Sequence, residues 1–362
     1  MPRKMLLAAG GTGGHIIPAV VFGRWIERIH PSVRVGYMSG RRPVELEIYR
    51  SLKIEPFVMD ASGSPFGAKR MESPRRWKDL IRSVWQAGEC MKGESPDLCV
   101  AFGGYVSAAA VLSAYMRGIP TVAHEQNALA GKVTLLARAL GARVASGWDK
   151  CDPLRQDRFT PVGVPVRPLD GMSREQALAR LGLDSLKNDG PAVAVMTGSL
   201  GSGRLSEAIS SLSCQREFAS WNFLIIDPAA ARPLKAAENA VRLPRSWDIA
   251  PLFNAADILV TRGGASTLAE TLASGIPAVV VPWRQAARDH QMKNALAMAH
   301  SGKIEIFDEM SGGVPDLAAK LMNLRHRSQR EEKDIGKRMY NASINICERL
   351  WDFCCAFLEG RD

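Results

Sequence analysis

Short runs rich in Val, Ile and Leu alternate with longer stretches of helical periodicity along the whole chain, and this rhythm narrows the fold more than any other feature. Continuous apolar runs suit strands buried on both faces, and the helical stretch between two of them is the crossover that parallel pairing requires. In the first half the runs are MLLAA (5–9), VRVGYMS (33–39), IEPFVMD (54–60), DLCVAF (97–102), PTVAHE (120–125) and RVASG (143–147). The second half repeats the rhythm with PAVAVMT (191–197), NFLIID (222–227), DILVT (257–261), PAVVVP (277–282) and KIEIF (303–307). The expected class is therefore α/β with parallel sheets.

With 362 residues the chain is long for a single hydrophobic core, so two domains are expected. FTPVGVPVRPLDGM (159–172), with its three prolines and two glycines, reads as the linker between them. Just after it, Ser173 and Gln176 have the spacing of a capping box ahead of ALARLGL. Two similar halves would face each other across a cleft. The periodicity from about 329 to 358 predicts a final helix, expected to pack against a domain.

Of the formal charge of +10, nine units fall in residues 1–165, so the first half should meet something anionic: nucleic acid, an acidic membrane surface or a phosphorylated substrate. Seven cysteines, with no C-x-x-C pair, fit free thiols in a reducing cytosol. The apolar stretch at the N-terminus is interrupted by glycine too early for a signal sequence, and no run approaches a membrane span. Any membrane contact is expected to be peripheral.

Glycine-rich turns follow the strands, at the carboxyl ends where an α/β fold binds its ligands. In AAGGTGGHIIP (8–18) bare amides and a helix start could approach a phosphate, yet G-x-G-x-x-G fails at Ile16 and no Walker lysine follows. Taken alone, the loop is equally a tight turn. His15 sits at the strand-to-helix turn, either bonded to nearby backbone or facing the cleft. A second glycine turn, AFGGYVSAA, carries Gly103, Gly104 and Tyr105. In AHEQNALAG, the polar run His124, Glu125, Gln126 and Asn127 follows an apolar strand directly, which is costly unless those groups bind backbone, each other or a ligand. The second half supplies TGSLGSG (197–203) and TRGGASTLAE (261–270), where Ala265, Ser266 and Thr267 open a helix whose amides could hold a diphosphate. Glu270 is either an ordinary first-turn carboxylate or a partner for ribose hydroxyls. Asp289, His290, Gln291 and Asn294 in PWRQAARDHQMKNA complete the set.

GGTGGH, GGYVS, HEQN, the TGSLGS turn, RGGASTLAE and DHQMKNA, in this order from about Met5 to Gly302, together resemble the MurG family of bacterial UDP-N-acetylglucosamine transferases. The resemblance implies a GT-B fold of two Rossmann-like domains facing an interdomain cleft. These are an acceptor- and membrane-facing domain at 1–162, a UDP-sugar domain at 163–340, and a terminal helix at 341–362 packing back on the first. It also implies an inverting transfer of N-acetylglucosamine from UDP-N-acetylglucosamine to the C4 hydroxyl of the N-acetylmuramoyl group of lipid I, giving lipid II. No cofactor is required, and no D-x-D metal motif occurs.

Carried over residue by residue, the resemblance makes His15 the catalytic base. Thr12, Gly13 and Gly14 would line the donor and acceptor phosphates and count among the donor-binding residues. Asn127, Arg167, Ser199, the run Ala265, Ser266, Thr267, Leu268, Ala269 and Glu270, and Gln291 would hold the donor. Gly103, Gly104, Tyr105, His124, Glu125 and Gln126 would meet the acceptor. The chain departs from the family's G-N-P-V-R at Val164, from its G-G-S-Q-G at Thr197 and Leu200, and from an asparagine common after HEQN at Thr134.

The positive first half then has a partner. FGAKRMESPRRWKDLIRSVW (66–85) interleaves Lys69, Arg70, Arg75, Arg76, Lys78 and Arg82 with Phe66, Met71, Trp77, Ile81 and Trp85. Trp77, Ile81 and Trp85 share one helical face, either core or dipped into an anionic membrane surface. The expected place is the cytoplasmic side of the cell membrane, among other cell-wall synthesis proteins, with no nucleic acid bound. The alternatives are another GT-B enzyme (a glycolipid glycosyltransferase or a UDP-N-acetylglucosamine 2-epimerase) and a non-catalytic nucleotide-sugar-binding protein.

Overall fold

The computed structural model describes residues 1–60, 73–183, 190–198, 203–228, 234–300, 303–328 and 334–360. It divides into two compact units, Met1–Arg167 together with Ser343 onward, and Pro168–Ala342.

Unit 1 runs β1 (Lys4–Ala8), α1 (Gly13–Ile29), β2 (Arg34–Ser39), α2 (Pro43–Ser51), β3 (Phe57–Val58), α3 (Ser73–Glu94), β4 (Leu98–Ala101), α4 (Gly104–Met116), β5 (Thr121–Glu125), α5 (Lys132–Ala139), β6 (Arg143–Ser146) and β7 (Thr160–Pro161). Its seven strands pair in parallel in the order β3-β2-β1-β4-β5-β6-β7. The register Leu7↔Tyr37 and Leu7↔Val100 sets β1 between β2 and β4, with the chain reversing its direction of travel there. That reversal opens a crevice at the carboxyl ends of β1 and β4, where both glycine turns emerge.

One face of the sheet packs Leu6, Ala8 and Met38 against Leu80 and Met91 of α3 and Val106 and Ala110 of α4. α3 buries Leu80, Ala87 and Met91 at helical spacing. Its opposite stripe leaves Trp77, Ile81 and Trp85 at 44%, 68% and 67% exposure, so the core reading of that face is corrected. Phe66, Lys69, Arg70 and Met71 lie outside the described residues.

Unit 2 runs α6 (Arg174–Arg180), β8 (Ala192–Met196), α7 (Gly203–Ser213), β9 (Asn222–Ile226), β10 (Leu234–Ala237), β11 (Ala240–Leu243), α8 (Ala250–Ala255), β12 (Ile258–Thr261), α9 (Ala265–Ser274), β13 (Ala278–Val280), α10 (His290–Ala299), β14 (Ile304–Ile306) and α11 (Val314–Ser328). α12 (Ile335–Glu359) follows. The strand order is β10-β11-β9-β8-β12-β13-β14, parallel except for the antiparallel β10–β11 pair at one edge. Val193, Val195, Phe223, Ile225, Val260 and Val279 meet Leu205 and Ile209 of α7 and Leu317, Leu321 and Leu324 of α11.

The capping box forms as the spacing predicts: Ser173 Oγ accepts from the Gln176 amide at 3.2 Å, and Gln176 Oε1 from the Ser173 amide at 3.0 Å. Within unit 1, Cys347, Leu350, Trp351 and Cys354 of α12 are buried. Trp351 stacks on His30 at 4.2 Å and lies 6.4 Å from Trp25 of α1. The apolar ICERLWDFCCAFLEG is thus the cover for α1.

Candidate active site

In unit 1 the two glycine turns press against each other. Gly104 has φ +77, and a Cβ there would sit 2.1 Å from the Gly10 carbonyl oxygen. Gly103 has φ +98, and a Cβ there would sit 2.9 Å from Nδ1 of His15. Both conformations disfavour a side chain, and both approaches exclude one, so glycine alone lets the imidazole lie on the second turn. Ser107 Oγ accepts from the Gly103 amide at 3.0 Å and lies 2.7 Å from the Ala8 carbonyl, tying the second turn to the end of β1.

Glu45 of α2 is fully buried and organises the first turn. Its Oε1 accepts from the Gly11 amide, and its Oε2 accepts from the Arg42 amide at 2.9 Å and the Tyr105 hydroxyl at 2.6 Å. Burial first, then that hydrogen bond to Glu45, raises the Tyr105 pKa and keeps the phenol protonated. The Arg42 guanidinium stands 4.8 Å over the Tyr105 ring. Tyr105 is 7% exposed, and its hydroxyl, committed inward to Glu45, braces the loop.

The HEQN run folds inward as well. His124 is 1% exposed, stacks on Phe102 at 5.1 Å, and has Nε2 2.8 Å from the Gly163 carbonyl. Burial lowers its pKa to about 4. Glu125, 4% exposed, accepts through Oε1 from the backbone and side-chain amides of Asn127, each at 3.0 Å. Its Oε2 accepts from the Gly131 amide at 2.8 Å and from the Thr134 hydroxyl. This carboxylate sits at the start of α5, where the helix dipole favours a negative charge. His124 and Glu125 thus both have hydrogen-bond partners within unit 1: the Gly163 carbonyl and Gln126 for His124, and Asn127, Gly131 and Thr134 for Glu125. Gln126, 1% exposed, meets His15: its Oε1 lies 2.9 Å from His15 Nδ1. His15 itself is half-buried, as are Gly13 and Gly14, while Thr12 is exposed.

In unit 2, Arg262 and Gly263 leave β12 ahead of α9. Arg262, 8% exposed, makes a two-pronged ion pair with Glu309 at 2.9 and 3.1 Å and donates to the Val281 carbonyl at 3.1 Å. Gly263 is clamped from both sides, its amide donating to Gln291 Oε1 at 3.1 Å and its carbonyl accepting from Asn294 Nδ2 at 2.9 Å. The same Gln291 oxygen accepts from the Trp283 amide at 2.9 Å. Ser266, Thr267 and Ala269 are half-buried at the opening of α9, whereas Ala265, Leu268 and Glu270 are buried. Leu268, with no exposure at all, serves the core, so only its backbone could face a ligand. Arg288 and Asp289 hold left-handed φ values of 57° and 54° just before Gln291, the kind of backbone strain that clusters at functional sites. Asn127 and Arg167 are half-buried in unit 1. Ser199, with Leu200, lies outside the described residues; Gly198 beside it packs on the Arg262 stem.

Residues 5–146 match the glycosyltransferase family 28 N-terminal domain, and residues 192–346 match the glycosyltransferase family 28 C-terminal domain. A Desulforudis audaxviator protein named UDP-N-acetylglucosamine–N-acetylmuramyl-(pentapeptide) pyrophosphoryl-undecaprenol N-acetylglucosamine transferase is 32% identical over 96% of this chain and 98% of its own length. The chain belongs to the MurG family. A Pseudomonas fluorescens protein of the same name is 29% identical over 99% of this chain and all of its own. The crystal structure of Acinetobacter baumannii MurG superposes with a TM-score of 0.65 at 21% identity, covering 98% of this chain and 100% of that one. A UDP-N-acetylglucosamine 2-epimerase from Neisseria meningitidis, solved with UDP-N-acetylglucosamine bound, shares the fold at a TM-score of 0.60 and 13% identity over 96% and 100%.

In this MurG-family chain the GT-B architecture is as the sequence predicts. Sequence reasoning missed Glu45, Ser107 and Glu309. Glu45 reads locally as a first-turn glutamate of α2, and only its reach to Gly11 and Tyr105 reveals the brace. Among the described residues no group of three His, Cys, Asp or Glu could hold a metal ion, and no helix is long and apolar enough to cross a membrane.

Proposed function

We propose that the chain transfers N-acetylglucosamine from UDP-N-acetylglucosamine to the C4 hydroxyl of the N-acetylmuramoyl group of undecaprenyl-diphosphate-linked lipid I, forming lipid II. The observation that carries this reading is His15, laid on Gly103 and held by Gln126 at 2.9 Å on a turn whose glycines admit a diphosphate. His15 takes the hydroxyl proton as the acceptor oxygen attacks the anomeric carbon. The bond from that carbon to UDP breaks on the opposite face, and the configuration inverts. UDP leaves as an anion, and backbone amides at the start of α9 stabilise its charge.

Unit 1 takes the lipid acceptor on the turns at Thr12–Gly14 and Gly103–Gly104, braced from behind by Glu45, Tyr105 and Glu125. Unit 2 takes the donor: Ser266, Thr267 and Ala269 at the diphosphate, Glu270 at the ribose and Gln291, through its amide nitrogen, at the sugar. Asn127, Arg167 and Ser199 complete the donor set. The chemistry needs no resident cofactor beyond the sugar nucleotide.

The substrate is anchored in a bilayer, and α3 offers it a surface: Trp77, Ile81 and Trp85 stand outward beside Arg76, Lys78 and Arg82. Such a stripe suits peripheral binding to the cytoplasmic face of an anionic membrane, where other cell-wall synthesis proteins work.

Purified protein incubated with radiolabelled UDP-N-acetylglucosamine and a lipid I analogue should yield labelled lipid II. Replacing His15 with Ala should lower turnover about 100-fold or more while donor binding stays nearly unchanged. Sugar epimerised from donor alone, or donor bound without transfer, would refute the assignment.

A further inference from the structure

We propose that Gln126 and His124 are positioning residues that fix the tautomer of His15, through a one-way hydrogen-bond relay beginning at the Gly163 carbonyl. The inference deepens the reading of His15 as base and rests on it.

The relay is settled by what each group is able to do. A carbonyl oxygen only accepts, so the His124 nitrogen 2.8 Å from Gly163 O, Nε2, must carry the hydrogen. His124 is buried and neutral, with burial holding its pKa near 4, so its Nδ1 is then a bare acceptor. The group 2.9 Å from that Nδ1 is the Gln126 amide, which must present its NH2 there. A second contact demands the same orientation. Gln126 Nε2 is also 2.9 Å from the His124 carbonyl, and a flipped amide would set two acceptor oxygens against each other.

Both hydrogens of the Gln126 NH2 are thereby assigned, and Oε1 points at His15 Nδ1 at 2.9 Å. That nitrogen must be the protonated one. Neutral His15 consequently keeps its lone pair on Nε2, the nitrogen turned away from Gln126.

The surroundings hold each member in place. The Gly163 amide and the neighbouring Val162 amide both donate to Ser146 O, at 3.2 and 2.8 Å. The His124 ring stacks on Phe102, and the His15 ring rests on Gly103. The Trp148 indole donates to the Gln126 carbonyl at 2.7 Å and fixes its backbone. A neutral amide beside the base sets its direction without placing a carboxylate's negative charge beside it.

The test uses the full chain with 15N-labelled histidine. Near neutral pH, long-range 15N–1H spectra should show His15 as the Nδ1–H tautomer and His124 as the Nε2–H tautomer, each assigned by loss of its signals on substitution. An Nε2–H His15 would overturn the proposal without any activity measurement. In transfer assays, Gln126→Met should lower kcat about 10- to 100-fold, with the donor KM within about threefold, and shift His15 towards Nε2–H. Full kcat in Gln126→Met, with His15→Ala still inactive, would refute the relay. Full turnover in His15→Ala with the tautomers as stated would instead remove His15 from the chemistry and leave the relay standing.

Discussion

Replacing Glu125 with Gln separates a loop brace from a ligand contact. The carboxylate accepts four hydrogen bonds: two from Asn127, one from Gly131 and one from Thr134. An amide has one oxygen and one NH2. Placed with the NH2 towards Asn127, it opposes two donors; turned the other way, it opposes the Gly131 amide, while the Thr134 hydroxyl can rotate to accept. The second arrangement costs less, and it strands the half-buried Gly131 N–H, worth roughly 1–3 kcal/mol. Loss of the charge at the start of α5 adds about 0.3–1 kcal/mol, and the bonds to Asn127 weaken from charge-assisted to neutral. Relief of the desolvation borne by a buried carboxylate offsets part of this, leaving a net loss of about 2–3 kcal/mol. At about 2–4 °C per kcal/mol, the thermal transition that includes unit 1 should fall by about 4–12 °C. Scanning calorimetry reads the shift, and acceptor KM measured well below the transition should stay within about threefold of the parent. An unchanged transition together with an acceptor KM raised about tenfold would refute the brace and return Glu125 to the ligand.

Two further outcomes are expected. Burial, opposed by the Gly163 hydrogen bond and the nearby Glu125 charge, lowers the His124 pKa from 6.5 to about 4. Between those values the unfolded chain binds the proton that the folded chain refuses. This contribution to stability is therefore complete above pH 6.5 and falls by about 1.4 kcal/mol per pH unit below it. Urea midpoints at pH values inside and above that window should differ less in His124→Gln than in the parent, and an equal difference would contradict the assignment. Changing Trp77 and Trp85 to Ser should reduce sedimentation with anionic vesicles by roughly tenfold, and undiminished binding would place the membrane contact elsewhere.

The strands were legible because a buried parallel strand announces itself locally, as MLLAA and PAVVVP do. Elements that depend on distant partners were not. β10 and β11 pair through LKAA and AVRL, too short and too rich in alanine and charge to stand out. β7 forms at Thr160–Pro161, inside a proline-rich stretch that reads as linker, because β6 offers its open edge. The strand read at 54–60 narrows to Phe57–Val58, which lies at the sheet edge with both side chains exposed.

Within the site, the clusters were visible but the direction of their side chains was not. HEQN reads as four polar groups seeking partners, and the sequence leaves open backbone, each other or a ligand. The fold selects the first two for His124, Glu125 and Gln126, since Gly163, Gly131 and His15 arrive from other parts of the chain. Glu45 shows the same limit, because Gly11 and Tyr105 stand 34 and 60 residues away.

The stacking of Trp351 on His30 bears on the order of events during synthesis. Unit 1 is made first but is not finished first, because Trp25 and His30 receive their cover from a segment translated only after all of unit 2. While the ribosome completes the second unit, the first presents an apolar stripe on α1 that α12 will later close. The nascent chain therefore has a natural point for chaperone capture at α1, open until Trp351 has been made and has reached His30.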